Sequence, residues 1–98
     1  MGRLEELVIK STKKIFKEVF GDVVMQAVQD FLRERDLNLD DTTLDIEKFH
    51  NSLVLLFGEG AEALERAIVD ELYRRLGLVE QRFSGFVEDI KRLEKQLR

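Results

Sequence analysis

The sequence predicts an all-α fold: one domain over residues 1–98, with five helices arranged as two antiparallel hairpins plus a C-terminal, heptad-patterned helix. Three observations predict it. Apolar residues recur at i, i+3, i+4 and i+7 through most of the chain, the period of a helix with one buried face. Glycines stand where these runs stop, and Pro is absent. Period-two alternation never persists, and the β-branched residues sit at helical spacing. A length of 98 residues fits one domain. With 44% apolar and 37% charged residues, the chain reads as a packed core under a charged surface.

The first helix is predicted over residues 3–20. Leu4, Leu7, Val8, Ile15, Phe16, Val19 and Phe20 share one arc, and Lys10, Lys13, Lys14 and Lys17 fall opposite. Gly21 suits a left-handed helix end, and Asp22 can cap a second helix over 23–35, whose apolar arc is Val23, Val24, Ala27, Val28, Phe31 and Leu32. Residues 36–45 break the period and read as a linker with two Leu tucked inward. A third helix over 46–57, capped by Asp45, buries Ile46, Phe49, Leu53, Leu56 and Phe57. Phe57, Gly58, Gly60 and Ala61 form a tight structural corner, with Gly58 expected at positive φ. A fourth helix over 61–76 ends at Gly77. A fifth is predicted over 79–97. A faint repeat, Val19-Phe20-Gly21 against Leu56-Phe57-Gly58, is consistent with two hairpins and equally with chance similarity between amphipathic helices.

Composition excludes several functions. There is no Cys, hence no disulfide, thiol nucleophile or cysteine metal site, and a single His argues against histidine-based metal or triad chemistry. No apolar run approaches the ~18 residues of a membrane span. The opening residues, Met1-Gly2-Arg3-Leu4-Glu5-Glu6, are acidic and amphipathic and do not read as a signal peptide. Net charge is −4, a poor start for binding phosphates. Glu, Lys and Arg enrichment with few thermolabile residues is the heat-adapted pattern, and a cytoplasmic protein from a thermophile is expected.

Each candidate for chemistry has a plainer reading beside it. Asp36, Asn38 and Asp40 fall at positions 1, 3 and 5 of a calcium loop, with Glu47 at position 12, but Asp41 replaces the turn glycine. No calcium binding at micromolar concentration is expected, and no cofactor. His50 lies at the edge of an apolar stripe, with Glu47 three residues back as a potential proton-handling partner; a half-buried structural His is the plainer reading. Glu71 and Arg75 are spaced i, i+4 inside an apolar arc. They read as a buried ion pair that fixes register, or as charges beyond the end of the core that reach out to water. The lysine face and the basic tail of Lys91, Arg92, Lys95 and Arg98 offer an alternative function, association with nucleic acid.

The strongest interaction signal is at the C-terminus. Val79, Phe83, Phe86, Ile90, Leu93 and Leu97 are spaced 4-3-4-3-4, an a/d seam over nearly three heptads. It predicts a homodimer with residues 78–98 in the interface, Ile90, Leu93 and Leu97 needing a second chain, although Ser84-Gly85 weakens the helix near its start. With no catalytic constellation in view, the expected function is a non-enzymatic protein–protein interaction or signalling module.

One stretch carries a family likeness: Phe49-x3-Leu53-x2-Leu56-Phe57-Gly58-x-Gly60-Ala61-x2-Leu64-Glu65-x2-Ile68-Val69-x2-Leu72-Tyr73. It resembles the Nitrosopumilus-type output domain, a small archaeal helical domain found alone and at the ends of signalling proteins. The likeness spans about residues 8–78, and the Phe-Gly-x-Gly-Ala core is its most specific part; residues 23–35 lack the family's Ala-rich pattern. The resemblance implies a helical output module in an archaeon, with a signalling protein as partner and no assigned chemistry.

Overall fold

A computed structural model describes residues 3–97. Met1, Gly2 and Arg98, the last cation of the predicted basic tail, lie outside the described residues. The described residues are all-helical in their regular structure, with four helices and not five: α1 (Arg3–Glu34), α2 (Ile46–Phe57), α3 (Gly60–Leu76) and α4 (Phe86–Gln96).

The first correction lies in α1. The predicted first and second helices are one element, interrupted at the single residue Gly21 (φ 76°, ψ 176°). No Cβ opposes that backbone conformation at glycine, so one residue turns the chain and no separate loop is needed. The bend is large. A straight helix of 32 residues would run about 48 Å, whereas the longest dimension of the molecule is 34 Å. Its two arms converge on one carboxylate: Asp40 accepts from Lys13 Nζ (2.8 Å) and from Arg33 Nη2 (3.2 Å).

The C-terminal arm closes at Asp36, the one described non-glycine residue at positive φ (61°), with Leu37 N–H donating to Leu32 C=O. The linker that follows buries three leucines rather than two, Leu37, Leu39 and Leu44. Glu5 accepts from the Leu44 amide (2.6 Å) and ties it to the start of α1. Asp45 caps α2 as predicted, accepting from Lys48 N–H. The corner also forms as predicted. Gly58 has φ 58°, its N–H donates to Val54 C=O, and Ala61 is buried just inside α3. Gly77 ends α3 in the left-handed conformation.

The second correction concerns the C-terminal helix, which starts at Phe86 and not at 79. Residues 78–85 are non-helical. Gly85 (φ 156°) breaks the helical path, and the buried Asp89 carboxylate accepts from the Ser84 amide (3.3 Å), fixing the start of α4 there.

Helix α3 is the centre of the packing: α1, α2 and α4 all lie against it, and α2 and α4 also touch. Phe16, Phe49, Leu53, Ile68, Leu72, Tyr73, Phe86 and Leu93 are fully enclosed. α1 is covered over a wider arc than its apolar residues predict, because Ser11 and Thr12 are also buried, their hydroxyls donating to the carbonyls of Leu7 and Val8. Conversely Val19, Val23, Val24 and Leu56, predicted to face inward, are exposed. They border the Gly21 bend and the Gly58 corner, where the half-buried Phe20 and Phe57 rings stack (5.3 Å) against the edge of the core.

Candidate functional site

An open cleft of about 520 Å³ lies between the second half of α2, the first turns of α3 and the start of α4. This is within the usual size range of ligand pockets. His50 and Val54 come from α2, Ala61, Glu62 and Glu65 from α3, and Phe83 and residues 85–88 from the α4 entry. The local sequence explains each wall. The Gly58 corner folds α3 back so that Glu65 meets His50, and the late start of α4 leaves non-helical Phe83 and Gly85 at the rim.

His50 Nδ1 is hydrogen bonded to Glu65 Oε2, and the Phe86 ring lies nearly parallel to the imidazole (centroids 6.5 Å apart). Glu65 is 3% exposed. Burial pushes its carboxyl above the ordinary range; the His50 hydrogen bond opposes this, and the neighbouring Glu62 and Glu88 carboxylates add to the rise. Spacing along α2 offers Glu47 as the partner of His50. That pairing does not form, because Glu47 accepts from Lys91 Nζ (3.1 Å), and the partner is instead Glu65, on another helix. No local spacing marks a contact of 15 residues' separation, although Glu65 falling on the buried side of α3, beside Leu64 and Ile68, was a usable signal. A His held by a carboxylate can hold or pass a proton. No Ser, Thr, Cys or Lys side chain lines the cleft among the described residues; its reactive groups are the imidazole of His50 and the carboxylates of Glu59, Glu62, Glu65 and Glu88.

Glu71 is at the centre of a second polar cluster. It accepts from Arg75 Nε (2.8 Å), Arg74 Nη2 (2.5 Å) and Lys14 Nζ (3.3 Å), the last from α1. The predicted Glu71–Arg75 pair therefore forms, with Glu71 7% exposed and Arg75 reaching partly into solvent. Burial alone would raise the Glu71 carboxyl; hydrogen bonds from Arg74, Lys14 and Arg75 outweigh it and hold the pKa at about 2.

The remaining predicted sites are dispersed or occupied. In the calcium-like loop, Asp40 is bonded to Lys13 and Arg33, Asn38 accepts from the Asp40 amide, and Glu47 points to Lys91. No three acidic or histidine groups among the described residues are placed to share a metal ion. Of the lysine face, Lys13 and Lys14 are engaged by Asp40 and Glu71, while Lys10 and Lys17 are exposed. In the basic tail, Arg92 Nη2 bonds Tyr73 Oη (2.9 Å) and Asp89 (3.0 Å).

The heptad seam is corrected at its central residues. Phe86, Ile90 and Leu93 lie in the chain's own core, at 2% exposure or less, packed with α2 and α3. Phe83 is half-buried with Arg66 over its ring (5.2 Å), and Val79 and Leu97 are exposed. The seam closes the monomer, so its three central residues present nothing to a second chain. No helix among the described residues is long and apolar enough to cross a membrane. No protein-family model, curated protein or solved structure matches the chain.

Proposed function

We propose that this chain is a non-enzymatic interaction module of the signalling-output kind, and that it pairs with a second copy of itself. The seam of α4 is spent on the core, so the pairing surface is the uncovered apolar end beside the Phe20–Phe57 stack. One observation carries this reading: Val23 is 85% and Leu55 65% exposed, and Val19, Val24 and Leu56 are exposed beside them in sequence. The contact of Phe57 with Phe16 and Phe20 brings the two segments that carry these residues together, and exposed Val and Leu on adjoining segments suit a docking surface. Burying such a side chain contributes about 1.5–3 kcal/mol. Several together reach the scale of a micromolar association, ~8 kcal/mol, before the entropy of association is charged against them.

The likeness of residues 49–73 to an output domain supports the signalling part, with a signalling protein as the further partner. The charge-rich composition supports work in the cytoplasm of a heat-adapted cell, and the same likeness supports an archaeal one.

Light scattering over a concentration series from ~1 to ~500 µM tests the pairing. Twice the chain mass is expected at the upper end, and Val23→Glu with Leu55→Glu should give a monomer of unchanged helicity. A monomer throughout for the unaltered chain overturns self-association. The alternative, nucleic-acid association, predicts salt-dependent retention on DNA, which the interaction module does not.

A further inference from the structure

We infer that the cleft between α2, α3 and the start of α4 receives a basic, partly apolar peptide segment of a partner protein, an arginine or lysine with an apolar neighbour. This site is distinct from the self-association surface and does not depend on it.

The walls set the chemistry. Val54, Ala61, Phe83, Phe86 and Val87 supply apolar area, enough to hold the stem of a long side chain and a neighbouring Leu or Val. The charged groups are almost all of one sign. Glu59, Glu62, Glu65 and Glu88 line the cleft, neither Lys nor Arg does, and His50 is the one group there that can carry positive charge. His50 is turned into the wall by its bond to Glu65. The field is felt within the site itself, since Glu62 and Glu88 both make ionisation of Glu65 harder. A cationic guest relieves that repulsion; an anionic guest worsens it.

The helix N-terminus at the cleft does not reverse the sign. The Glu88 carboxylate folds back over the first turn of α4, so closely that a Cβ on Gly85 would lie 1.8 Å from Glu88 Oε2. The positive end of the helix is thereby already answered by a carboxylate of its own chain. The opening favours a segment over a small molecule. The cleft is open to solvent, with Phe83 and Gly85 of the non-helical α4 entry on one side, so a side chain can enter it while its backbone stays outside. Arg66 of this chain already sits over Phe83 (5.2 Å) with Glu62 as its carboxylate partner (3.7 Å), which shows that the rim accepts a guanidinium and leaves Glu59 and Glu88 as the cleft carboxylates with no ion-pair partner among the described residues.

Fluorescence anisotropy with a fluorescein-labelled octapeptide of alternating Arg and Leu tests the assignment. Saturable binding tighter than ~100 µM at low salt is expected. Glu62→Gln with Glu88→Gln should weaken it about fivefold or more, and Val54→Lys, which places a cation on an exposed position of the wall, about tenfold. Glu94→Gln, on α4 outside the cleft, should leave it unchanged, as should Val23→Glu, which separates this result from the fate of self-association. A peptide with Glu in place of Arg should not bind. Absence of saturation up to ~1 mM overturns the inference, as does equal weakening by Glu94→Gln, which would mean diffuse attraction to an acidic protein. Equal affinity for N-acetyl-arginine methylamide overturns the segment in favour of a lone cation.

Discussion

Glu71 offers a stability test with a defined sign. Its carboxylate is nearly enclosed and accepts from three cations, one of them Lys14 across the α1–α3 contact. The pKa is held at about 2 in the folded chain, against an ordinary 4.5. A depressed carboxyl stabilises the fold above its unfolded pKa, and the contribution is lost as pH falls from about 4.5 through 2. Converted in full, the shift is worth about 3 kcal/mol. The cations are partly in solvent, Arg74 at 63% exposure and Lys14 and Arg75 at 37% and 31%, so screening reduces this to roughly 1–2 kcal/mol. Glu71→Gln keeps the shape and removes the charge. Urea unfolding of both proteins from pH 7 to pH 2 should show the variant weaker by that amount at pH 7, with the gap closing below pH 4. Added salt at pH 7 should narrow it. A gap that stays constant over the whole pH range, or a variant as stable as the parent at pH 7, would refute the electrostatic account and leave Glu71 as a packing residue.

Three further outcomes are expected. Gly58→Val should cost more than ~1 kcal/mol in a thermal melt, from backbone strain alone, because φ is 58° and the space around a Cβ is open; Gly60→Ala, helical and near only the Phe57 Cβ, should cost much less. Ile90→Glu with Leu93→Glu should unfold the chain, read as loss of the far-ultraviolet helical signal, since both side chains are in the core; a helical monomer would restore the seam to the surface. Glu65→Gln should gain stability relative to the parent as pH rises above 4.5, because a carboxyl whose folded pKa is raised loses stability on ionising; melts in parallel at pH 4 and pH 7 check this.

Local signals were legible in the sequence. Asp45 before an apolar run, Gly58 and Gly77 after one, each act within a turn of themselves, and each does in the structure what its chemistry dictates. The period of residues 86–93 also identified the buried side of α4. Periodicity says which face is covered and not by what, so a seam closing its own core and a seam for a partner look alike. Val79 and Phe83 continue the 4-3 spacing by coincidence through a segment that is non-helical up to Gly85. Gly21 was read correctly as a place for positive φ, but a glycine that ends a helix and one that bends it are the same letter. His50–Glu65 and Lys14–Glu71 join different helices and leave no trace at short range.

The central place of α3 has a consequence for how the protein is made. During synthesis the chain emerges in order, and α1, α2 and the leucines of the linker are all out before the helix they pack on. At about 5–20 residues per second, the 17 residues of α3 take roughly 1–3 s to appear. Over that interval Phe16, Leu32, Phe49 and Leu53 have each other but not their main support. Residues 3–59 without α3 therefore lack the helix they pack on, and a nascent chain halted with Gly60 at the tunnel exit would present these apolar side chains to whatever chaperone stands there.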